Sequence, residues 1–106
     1  MSEKLTKIYD SFIKDSFIIA NGGTIILDLN EIVKISIVTN DLGPFLEDAF
    51  IYIYMNNEDI YFIATENLYF NNLYEKVSKF QDFDFDMMIK SMQCTNNDEF
   101  ICWTKK

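Results

Sequence analysis

The chain has 106 residues, 17 acidic and nine basic side chains and no histidine, giving a formal charge of −8. All nine bases are lysines, so the chain lacks both imidazole, the usual general base near neutral pH, and guanidinium, the planar donor for phosphates. Histidine-dependent catalysis, His-bearing zinc sites, nucleic-acid binding and docking to an anionic membrane are therefore disfavoured.

Read in chain order, Leu5, Ile8, Tyr9, Phe12 and Ile13 fall at i, i+3, i+4, i+7 and i+8. That spacing predicts an amphipathic N-terminal helix over residues 1–14, with Ser2 as its cap. Ser16 to Ala20 reads as a strand. Asn21-Gly22-Gly23 is a turn, because Asn and Gly tolerate positive φ. Thr24 to Leu29 then returns as the second strand of a hairpin. A third strand runs from Ile32 to Thr39, with Val33, Ile35 and Ile37 on one face and Lys34 and Ser36 on the other. Residues 40–48 form the main loop and hold the only proline and the third glycine.

Phe50 to Met55 and Ile60 to Thr65 pair as a hairpin across the polar turn 56–59. Ile51, Ile53 and Met55 share one face of the first strand, and Phe50, Tyr52 and Tyr54 share the other. Both faces are apolar or aromatic, so this strand is expected to be central or covered on both sides. Phe70, Leu73, Tyr74, Val77 and Phe80 restore helical spacing. A second helix is expected from Phe85 to Gln93, capped by Asp84, with Met88, Ile89 and Met92 as its apolar face. Residues 95–99 read as a polar break, and Phe100 to Trp103 as a closing strand.

The sum is one α+β domain over residues 1–106. Its antiparallel sheet of about five or six strands is packed on one face by helices from the second half. The expected core includes Ile35, Ile37, Ile51, Ile53, Leu73 and Val77, with Phe83, Phe100 and Trp103 near the helix-to-sheet junction. No apolar run approaches the ~20 residues needed to span a bilayer, and the first residues lack the apolar stretch of a secretory signal. A cytoplasmic protein with reduced thiols is the expectation.

Several motifs bear on chemistry. Asp82, Asp84 and Asp86 imitate the start of a calcium loop, but Met87 stands where glycine is needed and Gln93 where glutamate is needed. Helix capping explains these acids better. Cys94 and Cys102 are too far apart for a zinc pair. Cys94, at a helix C-terminus without a histidine, is poorly placed to ionise. No cofactor is expected. Asp41, Glu47 and Asp48 crowd the main loop, where they can recognise Lys or Arg on another protein, or as carboxylates hold a metal. Tyr52, Tyr54 and Tyr61 form a candidate aromatic patch, since tyrosine joins an apolar ring to a wet hydroxyl. The fifteen isoleucines, ten asparagines and nine lysines match a bias toward AT-rich codons, so the asparagines are not read as a binding surface.

The segment from Ile32 to Trp103 resembles a group of short, uncharacterised bacterial proteins. The likeness rests on Ile32-x-x-Ile35-x-Ile37, Asn40-Asp41-x-Gly43-Pro44-x-x-Glu47-Asp48-x-Phe50, Phe83-Asp84, and Asn97-x-x-Phe100-x-x-Trp103. The first half also resembles the strand pattern of bacterial domains with a pleckstrin-homology-like fold, the alternative being a barrel of that kind. The resemblance implies a bacterial source and a fold, and no activity.

The favoured expectation is a non-enzymatic protein-binding module that acts through Asp41, Glu47, Asp48, Tyr52, Tyr54 and Tyr61. An acidic immunity protein that neutralises a basic toxin is one form of it. The alternatives are a self-associating homodimer and, third, a carboxylate-based metal-dependent enzyme centred on the loop acids.

Overall fold

The computed structural model describes residues 5–39, 49–93 and 98–105. Eight strands lie in chain order with two helices inserted before the last: β1 (Leu5–Lys7), β2 (Ser11–Lys14), β3 (Phe17–Ala20), β4 (Ile25–Asp28), β5 (Ile32–Thr39), β6 (Ala49–Met55), β7 (Ile60–Ala64), α1 (Phe70–Val77), α2 (Phe85–Met92) and β8 (Asp98–Thr104). They build an α+β fold of two open sheets. One has five strands in the order β1-β7-β6-β5-β8, and the other has three in the order β2-β3-β4.

The expected N-terminal helix is corrected to two short strands. β1 joins β7 in parallel, pairing Lys7 with Phe62, so the larger sheet is mixed rather than wholly antiparallel. β2 pairs antiparallel with β3, Lys14 opposite Phe17. The helical spacing was genuine but ambiguous. Ile8 is buried, whereas Tyr9 and Phe12, from the same predicted stripe, are 64% and 53% exposed. The two-residue Asp15-Ser16 turn decides the matter. Asp15 takes φ +56°, which its short polar side chain tolerates, and the chain reverses into β3.

The β3–β4 hairpin forms as expected around Asn21, Gly22 and Gly23, all at positive φ. Asn21 also ties this turn to the N-terminal segment. Its Oδ1 accepts from the Tyr9 N–H at 2.7 Å, and its Nδ2 donates to the Lys7 carbonyl at 3.0 Å.

β6 is the central strand of the five, as its two apolar faces require. It pairs antiparallel with β5 and β7. A register shift between Ile32 and Lys34 makes Val33 an extra residue in β5. Ile32, rather than Val33, joins Ile35 and Ile37 in the core. A second shift in the β5–β8 pairing turns Cys102 inward, where it is fully buried.

One continuous core joins Ile35, Ile37, Ile51, Ile53 and Ile63 of the larger sheet to Ile18, Ala20 and Leu27 of the smaller and to Phe70, Leu73 and Val77 of α1. The Asp84 carboxylate accepts from the Met87 N–H at 3.1 Å and caps α2. The predicted apolar face of α2 is corrected. Met87 and Met88 pack on the core and Ser91 is buried, while Ile89 and Met92 are exposed. The Ser91 hydroxyl makes burial tolerable by donating to the Met88 carbonyl at 2.6 Å. At the junction of helices and sheet, Phe83 is buried, Phe100 is half-buried, and Trp103 packs on Phe80 with ring centroids 4.7 Å apart.

Candidate functional site

Strand alternation sorts the larger sheet into two faces. The inner face holds Ile35, Ile37, Ile51, Ile53 and Ile63, and the helices and the smaller sheet pack on it. The register places Lys34, Ser36 and Val38 of β5 beside Tyr54, Tyr52 and Phe50 of β6 on the other face. Phe62 of β7 lies opposite Tyr52. Lys7 of β1 and Glu99 and Ile101 of β8 extend the same face to both sheet edges. Leu5 and Ile101, at opposite edges, are 54% and 44% exposed.

The rings on this face form one run. Phe50 meets Phe62 edge-on at 5.6 Å, Tyr52 stacks on Phe62 at 5.4 Å, and Tyr52 lies 6.3 Å from Tyr54. Such contacts stiffen the surface, because each ring restricts its neighbour. Lysines sit at both ends. The Lys7 ammonium is 6.0 Å from the Phe50 ring centroid, and that of Lys34 is 4.4 Å from the Tyr54 ring centroid.

Glu99 is the charged centre of the β5–β8 side. Its Oε2 accepts from the Ser36 hydroxyl at 2.6 Å and from the Tyr54 hydroxyl at 2.5 Å, and lies 3.8 Å from the Lys34 ammonium. Ser36 is fully buried beneath this cluster. Partial burial, the strongest single influence on Glu99, favours its neutral form. The two hydroxyl donors and Lys34 together outweigh it and hold the carboxyl below its ordinary range. Burial first, and then the bond to Glu99, pushes the Tyr54 hydroxyl up to about 12, so it stays a donor at neutral pH. Tyr52 is also raised, by burial and by the nearby Glu99 charge.

Of the residues predicted for the site, Tyr52 and Tyr54 come together on this face. Tyr61 does not: it pairs with Ile53 and packs against the core on the inner side. The even spacing that joins Tyr52 to Tyr54 does not carry across a hairpin, where register decides the face. Asp41, Glu47 and Asp48 lie outside the described residues, as does Cys94. Sequence reasoning missed Phe62 and Glu99. Lys34 and Ser36 alternating against the core residues of β5 were the available signal for a polar spot. Glu99 was hidden because residues 95–99 read as a break, while β8 begins at Asp98.

Elsewhere, a cavity of about 460 Å³ lies between Leu29, Phe80, Asp82, Trp103 and Lys105. Two of its polar groups are already engaged. The Trp103 indole donates to the Gln81 carbonyl at 2.9 Å, and the Lys105 ammonium to the Asn30 carbonyl at 2.7 Å. Two further apolar surfaces exist. Phe12, Ile19 and Ile26 form a cross-strand row on the smaller sheet, with Phe12 and Ile26 exposed. Phe85, Ile89 and Met92 form an exposed stripe along α2. Among the described residues no group of three acidic or cysteine side chains is placed to hold a metal ion, and no helix is long and apolar enough to cross a membrane.

Comparison with protein-family models, with curated proteins and with solved structures finds no match. Any functional reading therefore rests on this geometry.

Proposed function

We propose that the protein is a binding module for another protein and acts through the aromatic face of the larger sheet. One observation carries the reading. A run of four mutually packed rings, Phe50, Phe62, Tyr52 and Tyr54, lies on the side of the sheet opposite both described helices, with Glu99 at its margin. Aromatic side chains held rigid beside a polar rim are the usual anchors of protein interfaces, since they bury much area at little entropic cost. The net charge of −8 favours a basic partner by steering its approach. A basic toxin neutralised by an acidic immunity protein is one partner of this kind.

The test is differential capture from the source cells. A partner retained by the wild-type protein and lost with Tyr52→Lys, while Phe12→Lys keeps it, supports the reading. Its association rate should also fall steeply with salt. Equal capture by wild type and Tyr52→Lys would count against it.

A second reading is self-association through the row Phe12, Ile19 and Ile26. It is favoured by the exposure of Phe12 and Ile26 on the three-stranded sheet. Sedimentation at high protein concentration tests it, with a strict monomer the contrary result. The third, a carboxylate-based enzyme, centres on Asp41, Glu47 and Asp48 and is tested by calorimetry with divalent metal ions.

A further inference from the structure

Among the described residues, the Glu99 carboxylate is committed on one side only. Its contacts from Ser36, Tyr54 and Lys34 all reach Oε2. An ionised carboxylate offers about four lone-pair sites on two oxygens, so Oε1 keeps accepting capacity. Glu99 remains 37% exposed, and solvent or a partner can reach it. Two hydroxyl donors fix the carboxylate's orientation, and one of these, from Ser36, comes from a side chain with no exposure. An acceptor held in this way costs a ligand little reorganisation.

The surroundings select the ligand. Tyr52 and Tyr54 present ring surface beside the carboxylate, and the Lys34 ammonium already lies over Tyr54. That intrachain contact marks the spot as one that accepts a cation. At 3.8 Å, however, Lys34 reaches Glu99 as a point charge rather than as a short hydrogen-bond donor. A guanidinium fits the place better. It is planar and weakly hydrated, stacks on an aromatic face and donates along its edge at the same time. We infer that Glu99 Oε1, set beside the Tyr52 and Tyr54 rings, is the receptor for an arginine side chain of the partner protein.

The inference rests on the protein-binding reading and deepens it. It also separates a foreign partner from a second copy, because this chain contains no arginine to offer. Lys34 is then a competitor that must swing aside. Removing it should tighten the site, the opposite of what a receptor for an anion would show.

The test is an NMR titration of the isotope-labelled protein with three blocked tripeptides, Gly-Arg-Gly, Gly-Lys-Gly and Gly-citrulline-Gly. The arginine peptide should shift the Tyr52, Tyr54 and Glu99 signals together and saturably. The lysine peptide should bind several-fold more weakly, and the neutral citrulline peptide should not bind. Glu99→Gln, which still accepts from Ser36 and Tyr54, should weaken the arginine peptide about tenfold, a loss of about 1.4 kcal/mol. Lys34→Met should tighten it at least about twofold. Equal binding of the arginine and lysine peptides, shifts spread over the whole acidic surface, or weakening by Lys34→Met would overturn the inference. The peptide comparison on wild type needs no variant to fold. If the peptides fail while Tyr52→Lys still loses the captured partner, the arginine assignment falls and the binding-module reading stands. If Tyr52→Lys loses nothing, the reading itself falls.

Discussion

Removing the Glu99 side chain tests the polar cluster on the outer face of the larger sheet without any partner. Glu99→Ala deletes two hydrogen bonds to a charged acceptor, from Ser36 and Tyr54. Tyr54 is only partly buried and can turn to water. Ser36 has no exposure, so its hydroxyl is left in the sheet without its carboxylate. The Tyr54 hydroxyl is then its remaining side-chain partner, and losing the charged acceptor costs about 1–3 kcal/mol. Ser36→Ala also loses the bond, but leaves Glu99 with Tyr54, Lys34 and solvent, so it should cost less. The double variant Ser36→Ala/Glu99→Ala removes both partners and leaves no orphan on β5. Its cost should therefore fall short of the sum of the single variants by about 1–2 kcal/mol, within the range for directly bonded neighbours. For a domain of this size, a 2 kcal/mol loss in Glu99→Ala lowers Tm by about 10 °C. Urea unfolding of the four proteins at pH 7 measures the cycle. A repeat at acid pH adds a sign check. Glu99 titrates below its unfolded value, so its contribution is complete above the ordinary glutamate range and is lost as pH falls through the folded pKa. Additive costs at pH 7, or a coupling that grows as pH falls, would refute the reasoning.

Three further outcomes follow from other parts of the fold. Ser11 Oγ is buried with no hydrogen-bond partner among the described residues, so Ser11→Ala should leave stability unchanged or raise it by up to about 1 kcal/mol; a clear loss in urea unfolding would contradict this. Asn21 makes two side-chain bonds to the N-terminal segment at φ +52°, so Asn21→Ala should cost about 2–4 kcal/mol, and Asn21→Gly about 1 kcal/mol less because glycine relieves the left-handed backbone. Thermal unfolding of the two variants checks the order, and equal Tm values would contradict it. Burial foremost, with the Asp84 charge second, pushes the Cys102 thiol up to about 11, so it should resist iodoacetamide in the folded protein at pH 8 and react only on unfolding; peptide-resolved mass spectrometry distinguishes it from Cys94, and fast native labelling would be the contrary result.

The second half of the fold was more legible than the first. Beyond the shift at Val33, β5 and β6 are long enough for alternation to sort their faces, and the two aromatic-and-aliphatic faces of β6 announce its central place. Leu5 to Ile13 misled because the helix stripe and the observed chain both bury Ile8, here in the link between two three- to four-residue strands, while differing at Tyr9 and Phe12. The Asp15-Ser16 turn was the better signal, since a two-residue reversal excludes a helix running into β3. In α2, Met88 was read correctly as inward, but Ser91 took the place assigned to Met92, because a serine can satisfy its own hydroxyl on the preceding turn. Two of the three tyrosines of the expected patch, Tyr52 and Tyr54, were visible within β6. Tyr61 failed because the side it faces depends on the hairpin register. Glu99 was beyond reach, since its neighbours Ser36 and Tyr54 lie 63 and 45 residues away in sequence.

The central claim is that the aromatic face of the larger sheet meets a foreign protein. Photo-crosslinking in the source cells measures this most directly, with benzoylphenylalanine placed at position 52 in one protein and at position 12 in another. Crosslinks from position 52 to one basic protein, with none to it from position 12, are the predicted result. Crosslinks from position 12 alone, or from position 52 only to further copies of this chain, would contradict it.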